Sequence, residues 1–496
     1  MSVKPVLVIL AGAALSAGIL GVTRPLPAQQ QREIRTVSSI SAQDRAEGAK
    51  AHPQLLAELG GLYAGPQAAY VTSVGRKIAV QSSLSGQQSD FTISLLNSSV
   101  NNAFAIPGGY VYVTRQLTAL MNSEAELAGV LGHEIGHVAA QHSQRRQSAA
   151  QRNSILGALG QVLVGAVAGN SGIGQLLQKG IGSGAQLLTL KFSRGQEYEA
   201  DDLGIRYLAT AGYDPKAMSS LLASLAAQTE IDARAKGAQS STPAWASTHP
   251  DPASRVTRAL QNARATGSAS SLRNADVFLT NIDGMLYGDD PKQGVVEGNS
   301  FLHPAFRLKF TVPQGFALEN GADAVSVSGS QGRAQFTGAS YDGDLSAYVG
   351  TVFRKLAGEN GGATPAPQRT SVNGLPAAYA TVRAQSQDGQ SLDVTVFAYE
   401  FGPRTAYHFL IITPAGGGIG PFAPMVQSLA RLSEAEAGKV RSRRVRVVTV
   451  KAGETMASLG ARMAYTDFPV DRFRVLNALA SGATLRPGQR VKIITY

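Results

Sequence analysis

From residue 29 to about residue 265, apolar side chains recur mainly three and four positions apart, the spacing of helices that bury one face. One stretch, 91–114, breaks that pattern and drops to a period of two. Phe91-Thr92-Ile93-Ser94-Leu95 alternates as a strand does. Residues 103–106 are joined through Pro107-Gly108-Gly109 to Tyr110-Val111-Tyr112-Val113, which predicts strand, turn and strand. Residues 29–265 therefore read as one mainly α-helical domain with a small β-sheet. Residues 266–300 are rich in Ser, Gly, Asp and Asn and predict a linker. Alternation returns in short runs at 306–312, 334–336, 392–399 and 407–412, so 301–432 reads as an α+β or mostly β module. Residues 433–446 form a basic linker ending in Arg441, Arg443, Arg444 and Arg446, and 447–496 is a last small module.

Length agrees with this division, since 496 residues at roughly 100 to 200 per domain make a multidomain chain. Charged residues are only 16% of the chain against a usual ~25%, which excludes a disordered polyelectrolyte. The net charge of +11 favours anionic neighbours such as membrane surfaces or cell-wall polymers, and the basic run at 441–446 is too short to predict nucleic-acid binding. The chain has no cysteine, so disulfides, thiolate catalysis and cysteine metal cages are excluded, and any metal must be held by His and carboxylates. At the N-terminus Lys4, an apolar run over 6–22 and Leu26-Pro27-Ala28 before a polar stretch predict a signal peptide over 1–28 and hence export. The alternative is an uncleaved anchor, because that run sits at the lower edge of spanning length. Residues 155–188 are apolar with nine glycines and predict a helical hairpin, split at Asn170-Ser171-Gly172 into halves too short to cross a bilayer; peripheral membrane contact is left open.

The chemistry concentrates in His133-Glu134-Ile135-Gly136-His137. Ser123 and Glu126 have capping-box spacing, and Leu127, Val130, Leu131, Ile135 and Val138 give the apolar pattern of a buried helix of about 20 residues. On that helix His133 and His137 lie one turn apart and can converge on one Zn²⁺, while Glu134, rotated by about 100°, can face a water. A third ligand must come from another helix, and Glu197-Tyr198-Glu199-Ala200-Asp201 offers one. Glu197 and Asp201 share a helical face, so Glu197 can ligate and Asp201 can accept the free N–H of a bound imidazole, with Glu199 pointing away into solvent. The alternative is an acidic patch pairing with Lys191 and Arg194.

Taken together, these residues resemble the family of zinc metallopeptidases that includes the HtpX heat-shock protease and the CAAX prenyl protease. The resemblance covers about 57–265 and rests on Asn101-Asn102-Ala103-Phe104-Ala105-Ile106-Pro107-Gly108-Gly109, the run from His133 to Ser143, the run from Arg194 to Asp201, and Ser247-Thr248-His249-Pro250. The last element and the signal peptide look most like the periplasmic, BepA-like branch. The resemblance implies one zinc per chain held by His133, His137 and Glu197, with Glu134 as catalytic base. It also implies that Asn102, Ala103 and Phe104 form an edge strand which receives the substrate backbone. His249 is then either a fourth, regulatory ligand, a transition-state contact, or a loop residue packed near Arg255. His142, five residues after His137, falls off the metal-binding face and reads as structural.

Residues 447–496 resemble a LysM domain, a βααβ fold that binds N-acetylglucosamine-containing glycans such as peptidoglycan, although Glu454 stands where that family usually has Asp and 464–471 lengthens the region between the helices. The expectation is a zinc endopeptidase of the bacterial cell envelope, in the periplasm, acting on unfolded or misassembled proteins and held to peptidoglycan through 447–496. Two alternatives stay open: a peptidoglycan-bound chaperone or scaffold with a closed zinc site, and a zinc hydrolase of cell-wall peptides.

Overall fold

The structure is a computed structural model that describes residues 34–146, 192–236, 245, 248–322, 324–357, 365–386 and 389–496. The expected signal peptide at 1–28 and the apolar hairpin at 155–188 lie outside the described residues. Helix α1 (Ala42–Glu58) starts at Ser41, whose hydroxyl accepts the Asp44 N–H, and is followed by α2 (Gln67–Ala79). A three-stranded sheet comes next, with β1 (Thr92–Leu96), β2 (Ala103–Ile106) and β3 (Tyr110–Thr114) in the order β1-β3-β2. β3 runs parallel to β1 and antiparallel to β2, so β2 is an edge. The turn before β3 can lie against α1 because Gly108 has φ +94° and a side chain there would meet Asp44 O at 2.5 Å.

Two helices carry the motif residues. After the short α3 (Arg115–Leu120), α4 (Glu124–Ala139) begins at Ser123, whose Oγ accepts the Glu126 N–H at 3.2 Å. The Glu126 carboxylate accepts from the Asn122 N–H at 2.7 Å and not from Ser123, so half of the expected capping box forms. The helix has 16 residues and not about 20, because the chain reverses at Gln141 with φ +53°. Helix α5 (Arg194–Thr210) has a complete capping box from Ser193 and Gln196. It packs directly on α4 at Gly204, where a Cβ would lie only 3.1 Å from His133 N. This close approach sets the carboxylates of α5 opposite the histidines of α4. Helices α6 (Ala217–Lys236) and α7 (Pro252–Ala265) complete the helical layer.

The linker expected at 266–300 is instead built structure. Helix α8 (Ala275–Ile282) buries Phe278, Leu279 and Ile282, β4 (Leu286–Tyr287) pairs with a C-terminal strand, and β5 (Val295–Glu297) pairs with β6 (Ser300–His303). Its polar composition belongs to turns between short elements whose apolar residues still find partners. The following module holds a four-stranded sheet, β15-β7-β6-β5, with β7 (Leu308–Thr311) and β15 (Ala430–Arg431). It also holds a seven-stranded antiparallel sheet in the order β11-β12-β13-β14-β10-β9-β8, built from β8 (Ala317–Asn320), β9 (Val325–Gly329), β10 (Gly332–Ser340), β11 (Gln368–Val372), β12 (Leu375–Gln385), β13 (Ser391–Gly402) and β14 (Thr405–Pro414). One apolar cluster joins the two sheets through Phe301, Phe310, Phe336 and Phe409. A second packs Tyr348, Val349 and Phe353 of α9 (Leu345–Ala357) against Val394, Val396 and Leu410.

The C-terminal module has the expected strand, helix, helix, strand order: β16 (Arg443–Thr449), α10 (Met456–Gly460), α11 (Pro469–Leu476) and β17 (Arg490–Thr495). β16 begins inside the region expected to be a basic linker, because Arg443 and Arg444 pair with Tyr287 and Leu286 of β4 to give the sheet β17-β16-β4. The module is also tied to the helical domain by Lys492, which is fully buried and donates through Nζ to Ala119 O at 2.7 Å and Met121 O at 2.5 Å. Residues 36–496 accordingly form one compact body. Among the described residues no helix is long and apolar enough to cross a membrane.

Candidate metal centre

His133, Glu134 and His137 project from α4 into a space closed by Glu197 of α5 and by His249, which precedes α7. All five side chains are buried. The Nε2 atoms of His133 and His137 are 3.0 Å apart, and His249 Nδ1 lies 3.3 Å from His133 Nε2 and 3.1 Å from Glu197 Oε1. Glu197 oxygens stand 3.6 Å from His133 Nε2 and 3.5 Å from His137 Nε2. One donor atom from each of His133, His137, Glu197 and His249 therefore falls within 4.8 Å of the others. These separations bracket the edge of about 3.3 Å expected for a tetrahedron of ligands some 2.0 to 2.1 Å from one ion. Imidazole lone pairs this close to each other and to a carboxylate fit a cation held between them.

The surroundings fix the charges of this set. Arg255 of α7 is fully buried and donates from Nη1 to Glu197 Oε2 at 2.5 Å, from Nη2 to Asp201 Oδ1 at 2.6 Å and from Nε to Asp201 Oδ2 at 2.8 Å. Burial alone would push the Asp201 pKa up, but Arg255 and His133 overcome it and hold the carboxyl well below the usual range. Burial likewise opposes ionisation of Glu197, and His249 and Arg255 reverse it. Asp201 Oδ1 in turn lies 3.0 Å from His133 Nδ1. For Glu134 burial prevails and raises its pKa, against the attraction of His249 and His133. Glu134 Oε1 has no hydrogen-bond partner among the described residues, and His249 Nε2 stands 3.6 Å from it. Burial, reinforced by its histidine neighbours, keeps the His137 pKa far below its ordinary value, as a neutral ligand requires.

The structure thus brings together His133, Glu134, His137, Glu197, Asp201 and His249. His249 is not a loose loop residue: its ring stacks on Trp245 with centroids 4.2 Å apart, and its N–H donates to Trp245 O at 2.7 Å. Ala103 and Phe104 lie on the edge strand β2, opposite Val113 and Tyr112. The Asn102 N–H and C=O are both engaged by Thr114 Oγ1 at 3.1 Å, while Asn102 Oδ1 is buried with no hydrogen-bond partner among the described residues. A cleft beside His137 is lined by Val37, Ile40, Ala105, Pro107 and Gln141, so it opens between β2 and the end of α4.

Three participants were not expected from the sequence. Arg255 carries no motif, although three carboxylates within five residues of one helix signal a need for a buried cation. His142 lies outside the metal-capable set, as expected, but its Nδ1 is 2.8 Å from His137 Nδ1. A helical wheel does not show this contact because α4 has already ended at Ala139. Glu199 was expected to be solvated, but it accepts from Arg145 at 2.6 Å and lies 3.0 Å from His142 Nε2.

Residues 66–263 match Peptidase family M48. Over 197 residues the chain is 34% identical to the beta-barrel assembly-enhancing protease of Yersinia pestis, covering 39% of this chain and 38% of that protein. It is 33% identical over 213 residues to the protein of the same name from Escherichia coli O157:H7, with 42% of each chain covered. With the mitochondrial metalloendopeptidase OMA1 of Schizosaccharomyces pombe it shares 31% identity over 191 residues, 38% of this chain and 51% of that protein. The match spans about two fifths of the length of the first two relatives. The segment 66–263 is accordingly similar to the metalloproteases of that family.

Proposed function

We propose that the protein is a zinc endopeptidase of the bacterial cell envelope that degrades misfolded or misassembled envelope proteins. The observation that carries this reading is the buried set of His133, His137 and Glu197 around one point, with Glu134 Oε1 beside it and free of hydrogen bonds among the described residues. Zinc held by those three residues would polarise a scissile carbonyl and lower the pKa of a water. Glu134, raised in pKa by burial, is suited to take a proton from the attacking water and to pass it to the leaving amine. Asp201, clamped by Arg255, holds the His133 imidazole in one tautomer. The edge of β2 is open for an extended substrate to add as a further strand beside Ala103 and Phe104, while the Asn102 N–H and C=O are already taken by Thr114. An extended, unfolded segment is what such an edge selects.

The names of the bacterial relatives support substrates connected with β-barrel assembly, and the N-terminal sequence supports the periplasm as the compartment. The strand, helix, helix, strand sequence of elements over 443–495 is that of a LysM-like module, which supports attachment to peptidoglycan. A second reading, a scaffold with a closed metal site, is favoured by one observation: His249 supplies a fourth protein donor, as closed structural zinc sites have. Cleavage of casein by wild type, Glu134→Gln and His249→Ala, with zinc content measured in each, separates them. Glu134→Gln is expected to keep its zinc and lose turnover by about 10² to 10⁴. Near-normal cleavage by Glu134→Gln removes the base assignment. Increased cleavage in His249→Ala identifies His249 as a restraint, whereas a fall at full zinc content identifies it as a contact to the reacting group.

A further inference from the structure

His133 has a carboxylate, Asp201, directly behind its Nδ1, while the corresponding position behind His137 is taken by another imidazole. His142 Nδ1 is 2.8 Å from His137 Nδ1, and His142 Nε2 is 3.0 Å from Glu199 Oε2. His142 is fully buried, and its carbonyl accepts from Gln196 Nε2 at 3.1 Å, so its backbone is fixed to the first turn of α5. The same Glu199 Oε2 also accepts from Arg145 Nη1 at 2.6 Å. The His137 ring also stacks on Phe192 with centroids 3.9 Å apart and planes 26° apart.

With both imidazoles neutral, one arrangement of hydrogens satisfies this chain. Glu199, engaged by Arg145, can only accept, so His142 must present an N–H at Nε2 and a lone pair at Nδ1. That lone pair can be used only if His137 carries its hydrogen on Nδ1, which leaves the His137 Nε2 lone pair directed at the metal. We propose that His142 and Glu199 are positioning residues of the metal centre: Glu199 sets the tautomer of His142, and His142 sets the tautomer and ring orientation of His137. Alternate positions of α5 then have three duties. Glu197 ligates, Asp201 orients one histidine directly, and Glu199 orients the other through an intermediate imidazole.

The inference rests on the reading that His137 ligates the metal, and the test separates the two. Zinc affinity of the full chain is measured by competition with a chromogenic chelator, and metal-free folding is followed by thermal unfolding. His142→Ala and Glu199→Leu are each expected to weaken zinc binding about 10- to 100-fold while the metal-free unfolding temperature changes little. Because the two act in series, the double variant should be no weaker than His142→Ala alone. Glu199→Gln keeps an acceptor oxygen and should retain affinity closer to wild type, which preserves the test if His142→Ala fails to fold. Losses that multiply in the double variant, or equal losses in Glu199→Gln and Glu199→Leu, overturn the relay. If His137→Ala loses zinc while His142→Ala and Glu199→Leu bind as wild type does, the relay fails and the metal assignment stands. Zinc retained by His137→Ala removes the assignment itself.

Discussion

A single guanidinium decides whether the carboxylates of the candidate centre can coexist. Arg255 engages Glu197 and Asp201 at once, with the fork geometry that a lysine ammonium cannot reproduce. Removing one partner of a buried ion pair typically costs about 3 to 5 kcal/mol, because the remaining charges stay desolvated. Arg255→Met is therefore expected to lower the unfolding midpoint of the metal-free protein and to reduce bound metal, and Arg255→Lys should recover little of either. Equal metal content and equal midpoints in wild type and Arg255→Met would remove this role. Histidines away from the centre respond to pH in a predictable direction. Burial depresses the pKa of both His303 and His408 to about 4, and each ring engages a neighbour as a neutral group, His303 with the Phe306 N–H and His408 with the Tyr348 hydroxyl. Their folded values lie below the unfolded value of about 6.5, so the unfolded chain binds more protons between these limits. Their contribution to stability is complete above pH 6.5 and is lost as pH falls towards 4. Urea titrations across that window should show a shallower pH dependence for His303→Asn/His408→Asn than for wild type.

At the scale of elements, the helix pair α4 and α5 is what turns motifs into a site. Gly204 allows it: a Cβ there would stand 2.6 Å from Met218 Cε and 3.1 Å from His133 N. The thioether can move, but the α4 backbone cannot without displacing a ligand. Gly204→Val should cost about 1 to 3 kcal/mol through overpacking and weaken metal binding, which thermal unfolding and metal analysis would register together. Much of this pair was legible in the sequence. The His133 to His137 spacing, the Ser123 cap and the Glu197 to Asp201 repeat are local, and local pattern is what periodicity reports. The strands at 103–106 and 110–113 were legible because Pro107-Gly108-Gly109 marks their turn. Legibility failed where tertiary contact overrides composition. Residues 266–300 look like a linker by Ser and Gly content, yet Phe278, Leu279 and Ile282 were already the apolar face of α8. The contact of His142 with His137 was not legible because the end of α4 depends on a left-handed residue at Gln141 that no spacing announces. Arg255 became visible only once α7 lay across α5.

For the whole molecule, the informative contact is the one most distant in sequence. Lys492 on the last strand donates to carbonyls at the end of α3, immediately before the cap of α4, and Asn477 holds the Lys492 backbone through its N–H at 2.7 Å and its carbonyl at 2.9 Å. Lys492→Met should leave those buried carbonyls unpaired and cost about 1 to 3 kcal/mol, detected as a lower unfolding midpoint of the peptidase domain and not of the C-terminal module alone. An unchanged midpoint for the peptidase domain would mean the two parts are energetically separate. The Lys492 to Met121 contact closes a separation of 371 residues. Chains grow at roughly 5 to 20 residues per second, so this stitch becomes available only after on the order of tens of seconds of further synthesis. Until then the turn that launches α4 lacks its last support, so a partly made chain carries the His133 to His137 motif on an unfinished platform. The order of the sequence thereby works as a clock, in which the motif is made early and the contact that braces it forms much later.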